Sequence, residues 1–137
     1  MAYWLVKSEP VKYPFSQLEK DKRTQWDGVR NFEARNNLRA MKTGDLLLYY
    51  HSNEGKEVVG IAKVIGEHRP DDTSDEDWSV VDIAPSQRLA LAVTLSAMKA
   101  NPKLVSMALL KKSRLSVVPI TTTEFREVLA MGKTKLA

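Results

Sequence analysis

The sequence predicts an α+β domain built on a small, curved, partly closed sheet. Three observations carry that prediction. Short apolar runs rich in aromatic and β-branched residues recur along the chain, helix-capping signals stand between them, and no linker or repeat divides the 137 residues. A chain of this length forms one domain by the usual size range, so residues 1–137 are taken as a single unit.

The elements follow in order. Tyr3-Trp4-Leu5-Val6 has strand composition, and Trp4 in its interior is a core candidate. Pro10 and Pro14 interrupt the chain before a short helix over 15–20. A better helix spans 31–42, with Asn31 as N-cap and Gly44 beyond its end. Ala34, Leu38 and Met41 give that helix an apolar stripe, and Arg35, Arg39 and Lys42 give it a basic one beside it. Four strands come next, over 46–50, 58–65, 80–83 and 89–95, the first two joined by a turn containing Asn53 and Gly55. Residues 103–111 predict a helix, 115–118 a last strand stopped by Pro119, and Thr121 with Glu124 a capping box opening a helix that ends at Gly132.

The net charge of +4 is unevenly placed. Residues 67–77 hold six carboxylates against Arg69 alone, whereas 20–42 carry net +4 and 99–137 net +6. Two basic regions and one acidic segment fit a chain that meets a polyanion on one side. The acidic segment is too polar for a core and is expected to be a mobile loop whose carboxylates the fold can spare. No apolar run approaches the ~20 residues of a membrane span, and the opening MAYWLVKSEP lacks a signal-peptide pattern. Cysteine is absent, which excludes disulfides, thiolate catalysis and cysteine metal sites and fits a cytoplasmic protein. There is no phosphate-binding glycine loop and no histidine cluster, so neither a cofactor nor a metal is expected. His51 and Ser52 stand together, but no nucleophile-elbow sequence supports a triad.

What remains are polar and aromatic residues at structural breaks: Lys7-Ser8-Glu9, Trp26-Asp27-Gly28-Val29-Arg30-Asn31, Tyr50-His51-Ser52, Trp78 and Ser113-Arg114. Trp26 is open to two readings, a packed ring or a stacking platform. Arg30 and Asn31 could read a base edge or hold a phosphate, or serve as a loop ion pair and an N-cap. Gly28 is expected to supply a backbone shape that other residues strain to adopt.

The segments YWLVKSEP, WDGVRNFEARNNLRAMKTGD, LLLYYHSNEGKEVVGIAKV, VDI and SRLSV, in this order over nearly the whole chain, resemble the EVE domain family. The resemblance implies a PUA-like fold, a small β-barrel of five to six strands with flanking helices, as in bacterial single-domain members. It further implies recognition of a modified base in DNA or RNA rather than catalysis, with no cofactor. By similarity to YTH domains, Lys7-Ser8 ends the first strand and Trp26 forms one wall of an aromatic cage. Asp27, Arg30, Asn31, Tyr50, His51, Ser52 and Arg114 line the same cleft, and Trp78 is the candidate second wall. Arg35, Arg39, Lys42, Lys111 and Lys112 are expected to grip phosphates, and the protein to act as a monomer. Two alternatives stand beside the reader: an ASCH-like hydrolase of a modified nucleoside, with Lys7 as nucleophile or base and Glu9 as its acid partner, and a protein-interaction module with a vestigial pocket.

Overall fold

The apolar runs do assemble into one sheet, and the structure, a computed structural model, describes all of residues 1–137. Six strands, β1 (Tyr3–Ser8), β2 (Thr24–Trp26), β3 (Leu46–His51), β4 (Glu57–Pro70), β5 (Ser79–Thr94) and β6 (Val117–Ile120), lie in the order β2-β5-β4-β3-β1-β6. β1 and β3 run parallel, and every other pair is antiparallel. A parallel pair needs a crossover. Here the crossover contains α1 (Phe15–Asp21), β2 and α2 (Phe32–Ala40). Three further helices, α3 (Leu95–Ala100), α4 (Ala108–Lys111) and α5 (Thr122–Met131), follow the long strands.

The α+β class is as predicted, with a sheet that curves without closing: β2 and β6 are its two edges. Curvature comes from β4 and β5, whose pairing slips register between Val58 and Gly60, Ile61 and Ala62, Val64 and Gly66, and Gly66 and Arg69. At Gly60 the Phe15 ring lies so close that an added Cβ would sit 2.5 Å from it. The fully buried Phe15 therefore docks α1 directly onto bare sheet backbone.

The helix caps form as the sequence indicated. Asn31 Oδ1 accepts the Ala34 amide at 2.9 Å, and Ala34, Leu38 and Met41 are all fully buried. Thr121 Oγ1 accepts the Glu124 amide at 3.1 Å while Glu124 Oε1 accepts the Thr121 amide at 2.9 Å, closing the capping box.

Four expectations need correction. The strands expected over 80–83 and 89–95 are one strand, β5, which runs through Pro85. Pro85 is tolerated because β2 pairs only with Val81–Ile83, so no partner awaits an amide there. For the same reason Pro119 does not stop β6, an edge strand in which it faces Trp4. The helix expected over 103–111 is only a 3-10 turn over Pro102–Leu104 and the short α4, with α3 preceding it where no helix was expected. Thr94 caps α3 by accepting the Ala97 amide at 3.1 Å, which takes Leu95 out of the strand.

The largest correction concerns the acidic segment. β4 and β5 extend into it, pairing Pro70 with Ser79, and the Asp71 amide donates to the Trp78 carbonyl at 2.9 Å. Asp71 is buried, and Asp77 pairs with Arg39 at 2.7 Å and Arg35 at 3.5 Å. Trp78 is buried with its ring stacked on Phe32 at 5.2 Å. The segment is thus fastened to α2 by the basic stripe that composition alone left exposed. No helix is long and apolar enough to cross a membrane.

Candidate functional site

β1 and β3 end side by side, the Ser52 amide donating to the Ser8 carbonyl at 2.9 Å. Beyond these carboxyl ends lies a cleft of about 600 Å³. Its walls are Lys7, Ser8 and Glu9 at the end of β1 with Lys12 and Tyr13 beyond it, Thr24 to Arg30 along β2 and the following loop, Ser52, and Ser113, Arg114 and Ser116.

Trp26 ends β2 and is half-buried, its ring meeting Tyr49 edge to face at 5.6 Å. The ring packs against the core and also lines the cleft, a position compatible with either reading. Tyr49 is fully buried, and burial pushes its phenol well above the usual range. Its hydroxyl and that of Ser8 both donate to the Tyr13 carbonyl at 2.7 Å, which holds the loop after β1 against the sheet. Lys7 donates its ammonium to the Ser113 carbonyl at 2.7 Å, and burial lowers its pKa.

The loop after Trp26 is shaped by a carboxylate from the acidic segment. Asp71 accepts the Gly28 amide at 3.1 Å, Arg30 at 2.9 Å, and both the amide and the hydroxyl of Thr73. Burial opposes its charge, but the donors from Thr73, Arg30 and Gly28 prevail and hold the carboxyl well below the usual range. Gly28 has φ +75° with nothing within 4 Å of an added Cβ, so its constraint is backbone shape alone. Gly28→Ala is expected to cost about 1–2 kcal/mol, read as a lowered urea midpoint. An unchanged midpoint would show that the loop does not need the left-handed backbone.

Of the residues singled out from sequence, the cleft brings together Lys7, Ser8, Trp26, Asp27, Arg30, Ser52 and Arg114. Four lie outside it. Asn31 is spent on its cap and faces a neighbouring depression with Lys111 and Lys112. Tyr50 is buried in the core. His51 turns its Nε2 to accept the Phe15 amide at 3.1 Å, and burial lowers its pKa in keeping with a neutral acceptor. Trp78 stacks under Phe32, with the Arg30 guanidinium 5.6 Å from its ring, and is no second wall.

The basic helix stripe is also occupied. Arg35 and Arg39 share Asp77, their side chains only 16% and 29% exposed, whereas Lys42 stays exposed, 3.9 Å from Glu67 in a loose pair. Sequence reasoning passed over Lys12, Tyr13, Thr24, Gln25 and Ser116 in the cleft wall. Their signal was adjacency to the strand ends already marked. Glu9 pairs with Lys12 at 3.1 Å and accepts from Asn53, while Lys7 is held by Ser113, so no bond joins the two residues of the hydrolase alternative.

The cleft therefore offers an aromatic wall, four cationic side chains (Lys7, Lys12, Arg30, Arg114), two carboxylates (Glu9, Asp27) and several hydroxyls. That set suits a planar, hydrogen-bonding group attached to an anion. The model of the EVE domain family matches residues 2–131. Thymocyte nuclear protein 1 of Mus musculus is 34% identical, the match covering 97% of this chain and 74% of that protein. A crystal structure of a protein from Agrobacterium tumefaciens is 46% identical, with a TM-score of 0.95 over 98% of this chain and 94% of that one. The human THYN1 protein, crystallised in complex with DNA containing 5-methylcytosine, is 33% identical, with a TM-score of 0.91 over 98% of this chain and 99% of that one.

Proposed function

Because the chain belongs to the EVE domain family, we propose that it binds nucleic acid and receives one modified base in the cleft, with 5-methylcytosine in DNA as the first candidate. The observation that carries the reading is the half-buried Trp26 ring standing in the wall of a cleft rich in cations and hydrogen-bonding groups. The human relative supports it through the DNA with which it was crystallised.

Turning a base out of a duplex costs a few kcal/mol, and stacking on Trp26 would offset about 1–3 kcal/mol of that. Lys7, Arg30 and Arg114 offer donors to base oxygens, ring nitrogens or the adjoining phosphate, and Glu9 and Asp27 offer acceptors to an exocyclic amine. A buried methyl group adds about 0.8 kcal/mol, or roughly fourfold in affinity. The role is binding, not turnover.

The test is titration of oligonucleotides that differ by one methyl on cytosine, as DNA and RNA, into wild type, Trp26→Ala and Trp26→Phe. Trp26→Ala should weaken binding of the modified oligonucleotide roughly five- to a hundredfold. Its stability should fall by only about 1 kcal/mol, the scale of the edge contact with Tyr49. Trp26→Phe should keep part of the affinity. A folded Trp26→Ala protein that binds as well as wild type would sink the reading.

A further inference from the structure

The basic side chains of α2 and of residues 111–114 are placed differently, and the difference points to a path for the nucleic-acid strand. On α2, Arg35 and Arg39 are turned inward. Arg39 donates to Ser79 at 2.8 Å and to Asp77, and Arg35 lies 5.1 Å from the Phe32 ring and 6.0 Å from the Trp78 ring. With so little of either side chain exposed, these guanidinium groups fasten the β4–β5 loop to the helix.

The segment 111–114 is arranged the other way. Lys111, Lys112, Ser113 and Arg114 are all exposed, between the buried Leu109 and Leu115. Their backbone is fixed: the Lys112 amide donates to the Ala108 carbonyl at 2.8 Å, and the Leu115 amide to the Lys112 carbonyl at 3.0 Å. Lys7 ties the Ser113 carbonyl to the end of β1. Lys111 and Arg114 meet no carboxylate, and Lys112 meets only Glu33, in a pair about half exposed on both sides. Such a pair is worth little and exchanges readily for another anion. The depression lined by Lys111, Lys112 and Arg114 shares Ser113 and Arg114 with the base cleft, so the two adjoin.

Resting on the base-binding reading, we infer that the sugar-phosphate backbone leaving the cleft runs over residues 111–114, with its phosphates held by Lys111, Lys112 and Arg114, and does not cross α2. The rigid segment sets cations at fixed places beside Trp26, so base and neighbouring phosphates are held together.

Salt dependence tests the path. The affinity of wild type, Lys111→Gln/Lys112→Gln and Lys42→Gln is measured for one single-stranded oligonucleotide, with and without 5-methylcytosine, across salt concentrations. Each lost phosphate contact should flatten log K against log salt by about 0.7. The double variant should lose about 1.4 of slope equally on both oligonucleotides. Lys42→Gln should keep the wild-type slope. An unchanged slope in the double variant, or an equal loss in Lys42→Gln, overturns the path. If methyl preference persists while the double variant's slope is unchanged, the path alone fails. If slope is lost but wild type never distinguishes the methyl, the modified-base reading fails and the path stands. Both fail if wild type binds neither oligonucleotide.

Discussion

Trp4→Ala is expected to be the most destabilising single change in this domain, costing about 3–5 kcal/mol. The indole is 6% exposed, in the strand at the centre of the β3-β1-β6 half of the sheet. Its loss leaves a large cavity between β1 and the core, and removes a hydrogen bond as well. Trp4 Nε1 donates to Asp45 at 3.0 Å, and Asp45 also accepts the amides of Ala2 at 3.1 Å and Lys42 at 3.0 Å. Burial opposes the Asp45 charge, yet these donors hold its carboxyl below the usual range. The Trp4→Ala protein should unfold in urea at a midpoint lower by about 1–3 M, for a slope typical of a small domain. Trp4→Phe keeps most of the apolar burial and strips only the donor, so its cost should be near 1–2 kcal/mol. Equal midpoints for wild type and Trp4→Ala would contradict the placement of β1 in the sheet interior.

β1, β3, α2 and the capping box of α5 were legible because each carries a local signal. Those signals are aromatic or β-branched runs, an Asn or Thr cap, and a stripe at helical spacing. β2 was missed because Thr24-Gln25-Trp26 is three residues of mixed polarity, and it is a strand only because β5 offers it partners. The union of two predicted strands into β5 has the same cause. Pro85 breaks strands by its local chemistry, and only the short reach of β2 makes it harmless here.

The candidate site was legible to the extent that it lies at strand ends. Lys7, Ser8 and Ser52 follow directly from where the strands stop, Trp26 from its place before the basic helix, and Arg114 from the turn before β6. Tyr50 and His51 failed because side chains near a strand end still point to fixed faces: one turns into the core, the other reaches back to α1. Trp78 failed for a different reason. Its place is set by Phe32, Arg30 and Arg35, more than 40 residues earlier in the chain. Charge patterning misjudged the acidic segment because it counts carboxylates without their partners. Asp71 is buried against Arg30, and Asp77, though itself exposed, pairs with Arg35 and Arg39, so both charges are offset locally.

Asp71→Ala is the second large effect, and it joins stability to the site. Four bonds end on this carboxylate, from Gly28, Arg30 and twice from Thr73. Its side chain is fully buried, while Arg30 remains 39% exposed and can return to water. The cost therefore comes mainly from the donors left without an acceptor and should be about 3 kcal/mol. The folded-state pKa lies below the unfolded value, so this carboxylate's contribution is complete above pH ~4 and is lost as pH falls toward its folded pKa. Asp71→Asn keeps the shape and one acceptor, so it should be destabilised at pH 7 and lose part of the acid sensitivity of wild type between pH ~4 and ~2. Because Gly28 and Arg30 both line the cleft, the folded Asn variant should also bind the modified oligonucleotide more weakly at pH 7. Urea midpoints at several pH values, with affinity on the same samples, read both effects. A variant with wild-type stability and an unchanged acid limb would show that the 27–30 loop is held by something other than Asp71.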